Sequence, residues 1–177
     1  MNDVKTLLRP EESEYAPFYG KYVQLVGGSD VVSALKNNIG NTTELLSGIS
    51  EEKSLSRYAE GKWSIKELVG HLIDTERIFA YRALRISRGD ATPLAGFEQD
   101  DYIANADFDA CAFSDLIREF KAVRESTVML FENMNSKAWL RKGNASENVV
   151  SVRALAFLTA GHELHHVNIL KERYLVD

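Results

Sequence analysis

The segment Lys62–Leu84, KWSIKELVGHLIDTERIFAYRAL, decides the fold of this 177-residue chain. Near its start stands Ser64-x-x-Glu67, the pattern of a capping box, in which each of the two side chains accepts a backbone N–H at the beginning of a helix. Apolar residues then recur at helical spacing as far as about Ser87, where RGDATPLAG supplies residues that end a helix. The segment predicts one long helix that carries a single histidine, His71, on a mostly inward face.

Helical spacing of apolar residues also dominates the rest of the chain. Further long helices are predicted over residues 30–49, 114–134 and 151–174, with Asp30, Ser114 and Ser151 at their starts. A shorter helix is expected within residues 11–26. The polar segment RKGNASEN is expected to be a loop, and runs of alternating apolar and polar residues bounded by hairpin turns are missing.

These elements predict an all-α protein. Residues 1–177 suit one domain, because a chain of this length can bury a sizeable core. Four long helices with one long connection, from Arg88 to Phe113, favour an up-down four-helix bundle.

Composition limits the partners of the chain. The net charge is −5, the pI is near 5.5, and lysines and arginines are scattered, so we expect no nucleic-acid partner. The longest apolar run is too short to cross a bilayer, so we expect no membrane partner. Cys111 is the single cysteine, which fits a reducing compartment and a cytoplasmic protein. Its expected role is that of a small core residue.

The last predicted helix contains His162-Glu163-Leu164-His165-His166, which matches the H-E-x-x-H pattern of zinc proteases. Those proteases take a third ligand from further along the chain. Position 169 is Ile and position 172 is Glu, and no later helix follows. The sequence therefore argues against a protease.

Helical geometry selects two of these three histidines. His162 and His166 are four residues apart and face the apolar stripe of the helix, whereas His165 lies about 100° from His166 around the axis. If the second and fourth long helices are neighbours, His71 joins them, and three imidazoles leave a fourth position open on a divalent metal ion. Zinc or nickel is the expected metal, although three imidazoles also suit copper and ferrous iron.

Two carboxylates are candidates for supporting or catalytic roles at such a site. Asp74 or Glu163 could accept the second N–H of a ligand imidazole and fix its tautomer. Glu163 could also act as a general base in a hydrolase. The alternative for Asp74 is an ordinary pair with Arg77, and the alternative for Glu163 is a polar patch or a dimer contact.

Three further features allow two interpretations each. Arg82, Arg85 and Arg88 could hold ligand carboxylates or form a solvated helix end. The segment GFEQDDYIANADFD, residues 96–109, could close over the metal as a lid, or Phe97 and Tyr102 could pack under one end of the bundle. Apolar residues on several sides of the last helix indicate either a central helix or a homodimer contact, and a homodimer is the expected state.

The segments GKWSIKELVGHLIDTERIF and FLTAGHELHHVNILKERY resemble the DinB-like (damage-inducible) superfamily of metal-binding four-helix-bundle proteins. The opening LLRPEESEYAPFYGKYVQLV is similar to one large branch of that superfamily, so the resemblance covers nearly the whole chain. Its pattern of one histidine after W-S-x-x-E-x-x-x-H and an H-x-x-x-H pair on the last helix implies His71, His162 and His166 as the metal ligands.

The resemblance also implies a range of chemistry. Relatives of known activity transfer low-molecular-weight thiols such as bacillithiol or mycothiol, or use such a thiol to isomerise a substrate. We therefore expect a metal-dependent thiol S-transferase that takes a small electrophile and a low-molecular-weight thiol cosubstrate. The alternatives are a metal-dependent hydrolase and a non-catalytic metal-binding protein of the stress response.

Overall fold

The computed structural model describes residues 9–176. Eight α-helices lie within that range: α1 (Gly20–Leu25), α2 (Val31–Ser47), α3 (Glu51–Ser54), α4 (Ile65–Ser87), α5 (Gln99–Ala106), α6 (Phe113–Glu132), α7 (Ser136–Trp139) and α8 (Val152–Ile169). The shorter elements are three 3₁₀ turns (Glu12–Glu14, Pro17–Tyr19, Phe108–Ala110), a π-helical turn (Leu170–Tyr174) and two strands, β1 (Lys142–Ala145) and β2 (Asn148–Ser151). In the described part of the chain, no helix is both long enough and apolar enough to cross a membrane.

The four long helices α2, α4, α6 and α8 form the predicted bundle. Both α2 and α4 pack against α6 and α8, so α2 and α4 occupy opposite corners. The helix starts follow the sequence signals: Asp30 caps α2, Ser64 and Glu67 form the capping box of α4, and Ser151 caps α8. The prediction of a helical four-helix bundle is confirmed.

The helix α6 begins differently from the prediction. Its first residue is Phe113 rather than Ser114, and no side chain caps it from within the segment. Instead, the backbone N–H of Phe113 donates to Oε2 of Glu51 on α3 at 2.9 Å. A residue 62 positions earlier in the chain thus replaces the local cap, which local sequence cannot show.

The directions of the helices depart from strict up-down alternation. Lys66, at the start of α4, donates to the carbonyl oxygen of Cys111, just before α6, at 2.6 Å. Tyr174, after the end of α8, donates to the carbonyl oxygen of Trp63, just before α4, at 2.7 Å. Helices α4 and α6 therefore run in the same direction, and α8 runs against them. The connection over residues 88–112 makes this possible because it returns the chain to the end at which α4 began.

The segment expected to be a polar loop forms a small hairpin. Strands β1 and β2 pair antiparallel, with Gly143 opposite Val150. The two turn residues, Ser146 and Glu147, have φ angles of 52° and 62°. A two-residue hairpin turn needs positive φ at both positions and is usually signalled by Asn-Gly or Asp-Gly. Ser146-Glu147 is not one of these dipeptides, so the sequence did not predict this turn.

Helix α8 is apolar on most sides because it lies at the centre of the molecule. It packs against α1 as well as α2 and α4. Phe157 on α8 and Leu170 just after it are among the apolar residues of the predicted last helix, and both are buried within the chain. The central position accounts for the apolar pattern, and the homodimer stays a prediction.

The contact between α1 and α8 depends on Gly161. A Cβ atom built at this position would lie 2.0 Å from the carbonyl oxygen of Tyr22, which belongs to the backbone of α1. Backbone cannot yield as the end of a flexible side chain can, so any larger residue would push α1 away from α8.

We expect Gly161→Ala to destabilise the protein by about 1–3 kcal/mol, because the added methyl group overpacks this contact. The control is Gly40→Ala, also in a helix, where an added Cβ would meet nothing within 4 Å. That change should stabilise the protein by roughly 0.5–1 kcal/mol, since alanine favours a helix over glycine. Urea unfolding followed by circular dichroism measures both values, and equal effects would contradict this account of the contact.

Candidate metal centre

Three histidines from two antiparallel helices converge inside the bundle. His71 lies on α4, and His162 and His166 lie one turn apart on α8. The Nε2 atom of His162 is 3.0 Å from Nε2 of His71 and 3.1 Å from Nε2 of His166. The sequence-predicted ligand set is thus brought together at one point, which we call the three-histidine cluster.

The geometry of the cluster fits a metal ion. Nitrogens bound at about 2.0–2.1 Å to one tetrahedral zinc ion lie roughly 3.3 Å apart. The separations of 3.0 and 3.1 Å are close to this value. Three neutral imidazoles cannot all satisfy one another through hydrogen bonds, because each presents a single lone pair or a single N–H at Nε2. A shared cation accepts all three lone pairs.

Burial keeps these imidazoles neutral, as metal binding requires. It lowers the pKa of His71 to about 4 and is also the main cause that lowers the pKa of His166 to about 2. The pKa of His162 falls well below its ordinary value for the same reason, with smaller effects from its neighbours. Protons therefore compete little with a metal ion near neutral pH.

Neighbouring side chains hold two of the rings in place. The Thr75 hydroxyl lies 3.4 Å from Nδ1 of His71, and the Trp63 ring packs against His71 with centroids 4.9 Å apart. The rings of Tyr22 and Phe79 meet His162 edge-on at 5.4 and 6.1 Å. An Nδ1–H that faces Thr75 leaves the lone pair of Nε2 free for the cluster.

His165 lies beside the cluster rather than in it. Its ring contacts Tyr22 at 5.2 Å and His166 at 5.1 Å between centroids. It also lines the cavity above the cluster. The helical-face argument therefore places His165 correctly outside the converging set.

The two candidate carboxylates do not face the cluster with a free oxygen. Both oxygens of Glu163 are engaged at 2.7 Å, one by the Thr42 hydroxyl and the other by Arg124. Asp74 is half-buried and lies 3.8 Å from Arg77. Among the described residues, the partner of the His71 Nδ1 atom is Thr75 rather than Asp74. Neither carboxylate is placed to take a proton from a ligand of the cluster.

Glu163 belongs to a buried ionic network that the sequence did not reveal. Arg124 on α6 makes a bidentate pair with Glu76 on α4, with two bonds of 2.8 Å. It also donates to Glu163 on α8 and to the carbonyl oxygen of Leu35 on α2, the latter at 3.1 Å. Arg124 is fully buried. The only signal in the sequence is an arginine on the apolar face of α6, four residues after Phe120 and four before Val128.

This network lies directly below the three-histidine cluster. Burial lowers the pKa of Arg124, but the charges of Glu76 and Glu163 outweigh it and raise that pKa, so the arginine stays charged. Burial raises the pKa of Glu163, against the opposing effect of Arg124, and with both carboxylates ionised the network carries a net charge of −1. A negative charge next to three neutral imidazoles favours a cation at the cluster.

A cavity of about 410 Å³ opens above the cluster. Three groups of residues line it: the histidines with Thr75 and Phe79, part of the N-terminal segment, and part of the long connection. The last two groups comprise Phe18, Tyr19, Lys21, Tyr22, Phe97, Glu98, Gln99 and Asp100. The sequence allowed residues 96–109 to be a lid over the metal, and the structure places Phe97 and Asp100 of this segment in the cavity lining. The N-terminal residues of the lining were not predicted, because their local sequence gives no sign that they contact the cavity.

The N-terminal wall of the cavity is anchored away from the cluster. The buried carboxylate of Glu14 accepts hydrogen bonds from Ser151 at 2.6 Å and from Nε of Arg153 at 2.8 Å. Arg9 donates to the carbonyl oxygens of Val23 and Val26 at 2.8 and 2.5 Å. These bonds fix both ends of the segment that presents its aromatic residues to the cavity.

The arginines near the end of α4 have structural partners. Arg82 is buried rather than solvated, and it donates to the carbonyl oxygen of Ala95 at 2.8 Å and to Ser146 at 2.9 Å. It thus joins the connection and the hairpin to α4. Arg85 pairs with Asp90. Cys111 is half-buried at the end of the connection, away from the residues that line the cavity.

Residues 34–170 match the sequence profile of the DinB superfamily. The chain belongs to the DinB superfamily. The match includes all three histidines of the cluster but begins after the N-terminal wall of the cavity.

Comparison with known proteins agrees with this membership. A protein of Oceanobacillus iheyensis named "Putative metal-dependent hydrolase OB0413" is 23% identical over 145 residues, which span 79% of each chain. The solved structure of YfiT from Bacillus subtilis, described as "a probable metal-dependent hydrolase with an unusual four-helix bundle topology", aligns with a TM-score of 0.69 at 14% identity. That alignment covers 92% of this chain and 89% of YfiT.

A mycothiol-dependent maleylpyruvate isomerase has a similar fold. Its structure aligns with a TM-score of 0.66 at 12% identity, covering 82% of this DinB-superfamily chain and 61% of the isomerase. At these identities, the structural likenesses show a shared fold. The chain is therefore a DinB-superfamily four-helix bundle with a three-histidine cluster.

We expect Arg124→Met to destabilise the protein by about 3–5 kcal/mol, because it leaves two buried carboxylates without their counter-charge. The matched control is Arg118→Met, since Arg118 lies on the same helix in an exposed pair with Asp115. That change should cost no more than about 1 kcal/mol. Urea unfolding of metal-free protein measures both. A loss below about 1 kcal/mol for Arg124→Met would show that the network does not stabilise the bundle.

Proposed function

We propose that this protein is a metal-dependent enzyme whose divalent ion is held by His71, His162 and His166. The observation that carries this proposal is the convergence of three Nε2 atoms at the floor of a cavity. A closed structural site would surround the ion with four protein ligands. In the described part of the chain, the cluster that could hold a metal provides three ligand side chains. The fourth side is open to a small molecule.

Purified protein should therefore carry about one divalent ion per chain, with zinc and nickel as the expected metals. His71→Ala and His166→Ala should each lose most of the bound metal, because two imidazoles hold an ion far more weakly than three. His165→Ala is the matched control and should keep it. Elemental analysis after gel filtration gives the stoichiometry. Equal loss in all three variants would contradict the assignment of the ligands.

We infer that the reaction uses a low-molecular-weight thiol. A divalent ion held by the three histidines would supply positive charge that lowers the pKa of a bound thiol, so that the thiol would release its proton to solvent near neutral pH. A thiol activated in this way needs no separate general base. This suits a centre at which Glu163 is engaged by Arg124 and Thr42. The thiol dependence of the structurally similar maleylpyruvate isomerase supports the inference.

The protein's own residues bind and orient the two reactants. Aromatic side chains of the N-terminal segment and of the connection enclose the cavity on two sides, which limits the access of water to a small electrophile. The aromatic contacts of Tyr22 and Phe79 keep His162 fixed, and Thr75 keeps the lone pair of His71 directed at the cluster. The proposed activity is the transfer of a thiol to a small electrophile.

A metal-dependent hydrolase is the second candidate. The names of the relatives from Oceanobacillus iheyensis and Bacillus subtilis favour it. In a hydrolase the ion would activate a water molecule, and a group that lines the cavity would accept the proton of that water. Two carboxylates line the cavity, Glu98 and Asp100, and we assign this role to Glu98; Glu163 faces the buried network instead.

The two candidates predict different substrates. If the thiol proposal holds, metal-loaded protein should join bacillithiol, mycothiol, glutathione or coenzyme A to a chromogenic electrophile at least tenfold faster than His71→Ala does. Cleavage of activated esters or amides without any thiol, lost in Glu98→Gln, would favour the hydrolase. If neither reaction exceeds the rate of His71→Ala while the metal is bound, the protein has a metal-binding role without turnover.

A further inference from the structure

A single lysine stands at the edge of the cavity near the three-histidine cluster. Lys21 lies on α1, and its Nζ atom is 4.2 Å from the centroid of the Phe18 ring and 4.9 Å from that of Tyr22. Tyr22 in turn contacts the ring of His162 at 5.4 Å. One aromatic ring therefore separates the ammonium group from the cluster.

The ammonium is held by aromatic faces rather than by an acid. Between residues 9 and 176, no carboxylate oxygen lies within 4.0 Å of Lys21 Nζ, although other lysines such as Lys36 and Lys66 have ion pairs. Contacts with two ring faces restrict where the charge can be without neutralising it. The group is thus positioned, and its charge remains available to a ligand.

Lys21 lies on the cluster side of the cavity. Tyr22, one of the two rings that Lys21 contacts, also contacts the rings of His162 and His165 at 5.4 and 5.2 Å. Glu98 and Asp100 line the cavity from the long connection. The cavity lining therefore carries positive charge on the N-terminal segment and negative charge on the connection.

We propose that Lys21 binds a carboxylate of the small molecule that occupies the open position at the three-histidine cluster. The ligand class is an acid that carries a metal-coordinating group, in the first instance a thiol, at one end and a carboxylate at the other. The carboxylate supplies the acidic partner that Lys21 lacks among residues 9–176, and the two rings beside the ammonium orient it. This inference rests on the proposed binding of an ion and a thiol at the cluster.

The position of Lys21 makes it a determinant of ligand choice. It lies outside residues 34–170, the part that matches the superfamily. The histidines would hold the ion, while the segment containing Lys21 would select which thiol enters this chain. A salt-dependent preference for acids over neutral thiols is the direct consequence.

The test uses the full-length protein loaded with Co²⁺ and measures binding from the visible spectrum of the cobalt ion. The ligands are ω-mercapto acids with two to five methylene groups, each compared with its neutral amide. For at least one chain length, the native protein should bind the acid about fivefold more tightly than the amide. This ratio should fall as the salt concentration rises.

Variants at position 21 assign the effect to one charge. Lys21→Met should bring the ratio of acid to amide affinity close to one, and Lys21→Arg should keep it above about three. The matched control is Lys137→Met, which removes an exposed lysine on α7 that does not line the cavity. It should keep the native ratio. Cobalt content and circular dichroism show that each variant holds its ion and its fold.

The outcomes separate this inference from the proposed function. If acids and amides both change the cobalt spectrum but bind equally, or if Lys21→Met keeps the native preference, Lys21 does not bind the carboxylate and the thiol proposal stands. If no thiol of either kind changes the spectrum of protein that holds cobalt, the thiol proposal fails and the role of Lys21 fails with it.

Discussion

A buried arginine on α6 that bonds to the other three long helices is the interaction on which the arrangement of this protein depends. Arg124 on α6 binds Glu76 on α4, Glu163 on α8 and the backbone of Leu35 on α2. An unpaired charge in this position would be very costly, so the helices are stable together only in the register that pairs it. Glu163 follows His162 directly, and Glu76 lies little more than one turn after His71. The register that satisfies Arg124 is therefore also the one that brings the histidines together.

The same arrangement separates two electrostatic tasks. The histidines are neutral because they are buried, so they contribute lone pairs and no charge. The charge that attracts a cation comes from the network below, which carries two carboxylates for one guanidinium. If those carboxylates were ligands themselves, they would neutralise part of the charge of the ion. Held one layer away, they would favour the binding of a cation at the cluster without neutralising its charge on the side of the cavity.

Much of this could be predicted from the sequence, because the decisive signals are local. The capping box at Ser64 and Glu67 fixed the start of α4, and the four-residue spacing of His162 and His166 placed both on one helical face. His71, His162 and His166 were predicted as ligands from helical geometry, from an assumed contact between two helices and from the family resemblance; the structure brings the three together, and their role as ligands stays a prediction.

What the sequence could not provide depends on contacts between distant segments. The cap of α6 comes from Glu51, the partners of Arg124 come from three other helices, and the hairpin turn at Ser146 lacks the usual residues. The direction of α6 is set by the path of a long connection rather than by any residue pattern. The N-terminal wall of the cavity also depends on a contact between distant segments. The backbone of α1 can approach α8 closely because residue 161 is a glycine.

The N-terminal wall of the cavity belongs to a different segment from the helices that carry the histidines. The candidate metal ligands lie on α4 and α8, whereas the N-terminal segment is fixed to the bundle by Glu14 at one end and by the contact at Gly161 at the other. Substitutions at Phe18 or Lys21 can therefore alter the size and charge of the cavity while the buried arginine keeps its partners. The molecule thus separates the side chains that shape the cavity from those that hold its helices in register.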